Sequence, residues 1–259
     1  MVTLTLLEKI YGLEEDRSFR SLQKHLSSFS SGLEAKIKVL GKTEQNWIQV
    51  EVSGSDSVVA TNYLNQKFGL APSSLEELKV QSELQGKIVD SGKIGYGLYV
   101  DVGVSASKKR DVLVPLYVLR KQLFEDEKLS IRRIIEAFCL HDNFPLRIKM
   151  TRIAIDKSEM EAELSEAQLT AFENWVSLGL DRVIVLGASP EQIEYAIKKS
   201  GSMRDVIKVD RLGFFECSII CKLGTEAPGI ISRLGNLLEG VPLYAFSPKK
   251  IRSFLKKAS

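Results

Sequence analysis

Two tyrosines set among glycines are the side chains best suited to chemistry in this chain. In GKIGYGLYVDVG, residues 92–103, Tyr96 and Tyr99 stand among Gly92, Gly95, Gly97 and Gly103. Aromatic residues favour strands and glycine weakens them, so the mixture suits a strand that must bend sharply. Rings left on the open side of such a strand are flat platforms, each worth about 1–3 kcal/mol to an unstacked base.

Other reactive residue types do not assemble by spacing. His25 and His141 lack a Cys or carboxylate neighbour at a metal-ligand interval. Cys217 and Cys221 are four residues apart on a strand, about 13 Å at 3.3 Å per residue, and with Cys139 they read as buried apolar thiols. Asp90, Asp101, Asp111 and Asp156 are scattered over strand ends. There is no Gly-x-x-x-x-Gly-Lys-Ser/Thr loop, and GKIGYG opens a strand rather than a helix. The turns at Leu186-Gly187 and Leu223-Gly224 precede helices whose amides could hold an anion, although Ser189 with Gln192 forms a plain capping-box pattern. The expectation is a protein without catalysis, cofactor or metal.

Composition narrows the setting. The chain has 259 residues, 44 % hydrophobic and 27 % charged, as in an ordinary globular protein. No apolar run approaches the roughly 20 residues that span a bilayer, so no membrane partner is expected. The start MVTLTLLEKIYG has no basic region and carries Glu8 in its apolar run, so no signal peptide is expected, and three unpaired cysteines suit a cytoplasmic protein. The net charge of +3 is unevenly spread: +3 over residues 81–156, −6 over 157–197 and +7 over 198–259. Such a field favours a polyanionic partner.

The elements that must position these groups follow from periodicity. Strand-like residues 2–11, a helix over 17–30, alternating strands at 33–40 and 47–53, and a helix from Ser55 or Asp56 to Lys67 make a β-α-β-β-α unit of residues 1–75. APSSLEELK (71–79) reads as a linker. Residues 84–102, 111–119 and 145–156 are strand-like. Between them Ile131, Ile134, Ile135 and Phe138 form an apolar helical stripe, predicting an inserted helix near 130–139. Residues 159–178 read as an acidic helix. Residues 182–197 and 219–234 then align at an offset of 37, each a strand, a Leu-Gly turn, a Ser or Thr cap and a helix. With a hairpin at 206–222 and a last strand at 241–246, this is the β-α-β-β-α-β order of a ferredoxin-like split βαβ domain over 169–259.

The middle of the chain, residues 82–168, resembles the S1 RNA-binding domain, an OB-fold barrel. The resemblance rests on GKIV from Gly86, Tyr96-Gly97-Leu98-Tyr99-Val100, Val112-Leu113-Val114-Pro115-Leu116, the strand Arg147–Asp156 and Leu164-Ser165. Pro115 stands where that family usually has histidine. The resemblance implies that Tyr96 and Tyr99 stack bases, with Lys87, Lys93, Arg147, Lys149 and Arg152 near the phosphates. It places Lys108, Lys109 and Arg110 in a loop at the barrel rim. The basic tail, Lys249, Lys250, Arg252, Lys256 and Lys257, would add a second contact.

As a whole, the chain resembles an uncharacterised archaeal family with an S1-like centre. The expected class is therefore α+β: a central S1-like OB barrel between an N-terminal α+β domain and a C-terminal ferredoxin-like domain. The expected function is non-catalytic binding of single-stranded or ribosomal RNA in translation or RNA processing. The alternative is a protein-interaction subunit docked on a ribosome, exosome or RNA polymerase, which Pro115 and the inserted helix favour.

Overall fold

Alternation builds the N-terminal sheet. In the computed structural model, which describes residues 1–104, 111–154 and 159–255, β1 (Val2–Lys9), β2 (Ala35–Lys42) and β3 (Trp47–Gly54) pair antiparallel in the order β1-β3-β2. α1 (Glu15–Ser30) and α2 (Ser57–Phe68) pack Leu22, Leu26, Ala60 and Leu64 against Ile37, Val50 and Val52. Asp56 stands at the N-cap of α2, but its carboxylate accepts from the Glu34 amide instead of capping the helix.

The central segment closes into a five-stranded, OB-like barrel. β4 (Glu83–Val89), β5 (Gly97–Asp101), β6 (Val112–Pro115), β7 (Pro145–Ala154) and β8 (Glu159–Leu164) run in the order β4-β5-β6-β8-β7. β6 pairs with β8 in parallel, and the other pairs are antiparallel. Ile88, Leu98, Val100, Val112, Val114, Ile148 and Ala162 fill it. Gly97 shows why the strand tolerates glycine: a Cβ there would lie 2.5 Å from the Val114 carbonyl oxygen and 2.7 Å from the Leu113 side chain. Any larger residue would push β5 off β6.

Two expectations about this segment are overturned. The strand expected over 111–119 ends at Pro115, and α3 (Leu116–Phe124) begins there, burying Leu119 and Phe124. The apolar alternation through Leu116 and Val118 hid a helix that packs its own face on the barrel. The acidic helix expected over 159–178 is two elements. Met160, Ala162 and Leu164 face the core from β8, and the helix α5 (Glu166–Leu178) starts only after Ser165, whose hydroxyl accepts from the Gln168 amide. The amphipathic stripe is borne out as α4 (Ile131–Phe138), with Ile131, Ile134, Ile135 and Phe138 buried and Arg132, Arg133 and Glu136 exposed.

The C-terminal segment is a four-stranded antiparallel sheet. β9 (Arg182–Leu186), α6 (Pro190–Lys199), β10 (Val206–Arg211), β11 (Glu216–Cys221), α7 (Ala227–Leu234) and β12 (Leu243–Phe246) give the order β10-β11-β9-β12. α8 (Pro248–Leu255) follows. The Ser189–Gln192 capping box forms in both directions. In the second copy the N-cap position falls on Glu226, and Thr225 does not cap α7. The two central strands, β9 and β11, are covered on both faces, so β9 is buried throughout, Arg182 included. Val183 and Val185 meet α6 and α7, while Ile184 and Leu186 join the core of the barrel. Phe214 and Phe215, from the β10–β11 turn, plug the core of the N-terminal sheet.

Candidate nucleic-acid interface

Alternation along β5 decides where the tyrosines point. Leu98 and Val100 face the barrel interior, so Tyr99 faces out, between its cross-strand partners Val89 on β4 and Leu113 on β6. Tyr96, one residue before β5, is 57 % exposed. The two rings meet edge to face with centroids 6.5 Å apart and hydroxyls 3.1 Å apart. The Tyr96 hydroxyl, helped by partial burial, pushes the Tyr99 phenol up to about 12. Tyr117, 66 % exposed, begins close by along the chain: it follows Leu116, whose amide donates to the Tyr96 carbonyl at 2.8 Å. Sequence reasoning missed this ring because it read the segment as strand. A helix started by Pro115 was the available signal.

The expected cations do not form one set with these rings. Lys87 is a correction: it is 1 % exposed and meets no solvent. Lys93 pairs with Asp90 at 2.6 Å, and Arg152 with Glu159 and Glu161 at 3.3 and 3.9 Å. Lys149 is half-buried, with Glu83 and Glu163 as its cross-strand partners. Glu159, Glu161 and Glu163 form an outward acidic row on β8, and Leu113, beside Tyr99, pairs with Glu161. Arg147 is exposed, with no ion-pair partner among the described residues. It sits opposite Gln85, four residues along β4 from Val89, so about 13 Å separates its row from that of Tyr99. Lys250 reaches Glu136 at 3.7 Å, while Arg252 donates to the Val176 and Ser177 carbonyls at the end of α5. Lys249 is exposed on α8. Lys108, Lys109, Arg110, Lys256 and Lys257 lie outside the described residues.

Lys87 is instead the centre of a buried polar cluster that the sequence did not announce. Its ammonium donates to Glu216 at 2.6 Å and to Glu8 at 2.8 Å. The Tyr11 hydroxyl donates to Glu216 at 2.5 Å, and the Phe214 amide to Glu8 at 2.8 Å. Burial disfavours the Lys87 charge, but Glu216 and Glu8 outweigh it and leave the ammonium above its ordinary value. Desolvation, with Glu8 close by, pushes Glu216 up to about 7 against the pull of Lys87. Burial, then Glu216, drives the Tyr11 phenol well upward. Beside this cluster, Asp101 of β5 accepts from Lys9 at 2.6 Å and from the Trp47 indole at 3.0 Å. Glu8 and Glu216 are lone carboxylates in apolar runs, TLTLLEKI and FFECSIIC, and that was the legible signal.

Family models match the chain in three parts. Residues 1–74 match the DUF2110 N-terminal domain, 78–176 the central domain and 180–244 the C-terminal domain. The chain belongs to the DUF2110 family. Glu8, Lys87 and Glu216 therefore come one from each of that family's three domains. No curated protein matches the chain.

Two solved structures show a distant likeness. One is an a/eIF2alpha–aDim2p–rRNA complex from Pyrococcus horikoshii OT3, with 11 % identity, 50 % of this chain and 70 % of that chain covered, and a TM-score of 0.27. The other is the intact alpha subunit of aIF2 from Pyrococcus abyssi, with 11 % identity, 67 % and 98 % covered, and a TM-score of 0.27. At these values neither likeness carries a conclusion about this chain. Among the described residues, no helix is long and apolar enough to cross a membrane.

Proposed function

We propose that this protein binds RNA without catalysing a reaction on it, as a cytoplasmic factor in translation or RNA processing. The carrying observation is the Tyr96–Tyr99 pair on the outer face of the OB-like barrel, Tyr96 exposed and Tyr99 half-buried, held edge to face at 6.5 Å. Two rings locked against each other lose little freedom when bases stack on them. The exposed Tyr117, next to the Leu116 that bonds Tyr96, is a candidate third platform. The barrel's strand order and the tyrosine motif support an S1-like reading of the centre, and the order β10-β11-β9-β12 supports a ferredoxin-like reading of the C-terminal domain. Single-stranded RNA suits stacking better than duplex, because only unstacked bases present their faces.

Binding of a fluorescent single-stranded oligoribonucleotide, followed by anisotropy over a salt series, tests this. Affinity should fall linearly in log–log form with salt. The Tyr96→Ala/Tyr99→Ala variant should lose about tenfold or more. Unchanged affinity in that variant would favour a second reading, docking onto a protein component of a ribosome or other ribonucleoprotein. The acidic row Glu159, Glu161 and Glu163 beside the aromatic face supports that alternative, since carboxylates repel a phosphate chain.

A further inference from the structure

Three free cations lie elsewhere, around a groove where the three domains meet. Its volume is about 460 Å³. It shares Gln85, Arg147, Arg211 and Leu212 with a second groove of about 350 Å³. Lys67 enters from the end of α2, Arg147 from β7 and Arg211 from the end of β10. All three are exposed, and none has an ion-pair partner among the described residues. Gln66 and Gln85 add amide donors. His25 lies on the wall with its ring 5.3 Å from Phe214, and burial, then Arg211 and Lys67, hold it below its ordinary value. The carboxylates are already engaged: Glu8 by Lys87 and the Phe214 amide, Asp210 by Arg182 and Lys208. Three unpaired cations and several amide donors around one groove form a site for phosphate groups in series.

We infer that this groove, and not the aromatic face, holds the phosphate backbone of the bound strand, with Arg147 and Arg211 as the main contacts. The inference rests on the RNA-binding reading but concerns different residues. It explains why the rings have carboxylates for neighbours: stacking and charge neutralisation are divided between two sites at opposite ends of β4. A single-stranded chain bends freely enough to touch both, and two tethered contacts gain through effective concentration.

The experiment compares full-length wild type, Arg147→Gln/Arg211→Gln, Arg147→Lys/Arg211→Lys and Tyr96→Ala/Tyr99→Ala. All are titrated with one oligouridylate over a salt series, with melting curves as a folding control. Losing two phosphate contacts should weaken binding about tenfold or more and make the log–log salt slope shallower by about 1.4. The lysine variant should keep the wild-type slope. Wild-type affinity and slope in the glutamine variant would overturn the inference while leaving the stacking reading intact if the tyrosine variant fails. The converse pattern sinks the stacking reading and keeps the groove. Inorganic phosphate or a nucleoside monophosphate binding the groove as tightly as the strand would also overturn it, as would a wild type that binds no oligonucleotide.

Discussion

The Lys87 ammonium stands 2.6 Å from the Glu216 carboxylate, although 129 residues separate them in the chain. Glu8 accepts from the same nitrogen at 2.8 Å, so one buried cation joins the N-terminal sheet, the barrel and the C-terminal sheet. Lys87→Met would leave two carboxylates facing each other out of water. Breaking a buried pair this way costs about 3–5 kcal/mol. Urea denaturation measures it, and a loss below about 1 kcal/mol would show that the cluster does not hold the domains together.

The same cluster sets a pH dependence. Glu216 is pushed up from its ordinary 4.5 to about 7, so the folded chain holds its proton more tightly than the unfolded one. Its contribution to stability is therefore complete below about 4.5 and declines as pH rises through 7. Glu216→Gln cannot titrate. Unfolding free energy measured from pH 5 to 8 should fall less steeply in this variant than in wild type, and parallel profiles would contradict the assignment.

Gly213 packs against both carboxylates. A Cβ there would lie 3.1 and 3.2 Å from the two Glu8 oxygens and closer still to Glu216. Gly213→Ala should therefore destabilise by about 1–3 kcal/mol through overpacking. It should also raise amide exchange at Phe214, whose N–H donates to Glu8. Hydrogen exchange followed by NMR reads both, and protection equal to wild type at Phe214 would count against the packing argument.

On the aromatic face, Tyr96→Phe removes the hydroxyl that raises Tyr99 to about 12. The Tyr99 phenol should return toward 10.0, its ordinary value. A ring-carbon NMR titration of Tyr99 checks this without depending on RNA. An unmoved titration would mean the two hydroxyls do not interact in solution.

Much of the architecture was legible along the chain. The stripe of α4, the alternation of β2 and β3 and the strand–turn–helix order repeated at an offset of 37 each depend on residues close in sequence and appear as expected, apart from the Thr225 cap. The resemblance implied an open Tyr99, and the structure supplies the reason: Leu98 and Val100 on either side of it fill the barrel. Two short stretches misled, and for one reason. In Leu116–Val118 and in Glu159–Leu164, strand and helix periods agree over so few residues that neighbouring elements decide the outcome.

Charge was less legible than shape. Periodicity states which way a side chain points from its own strand, and Lys87 does point away from the barrel, directly opposite Asp101. It cannot state what lands there, because Glu8 and Glu216 arrive from strands that pair in other sheets. For the same reason Lys67, Arg147 and Arg211 look unrelated in the sequence and share one groove in the fold. The amino-acid order by itself determined most of the elements and their apolar faces, since these follow from spacing of a few residues. Only the tertiary structure decided which cations are buried, which are neutralised and which stay free, since Coulomb and desolvation energies depend on distance in space and on access to water.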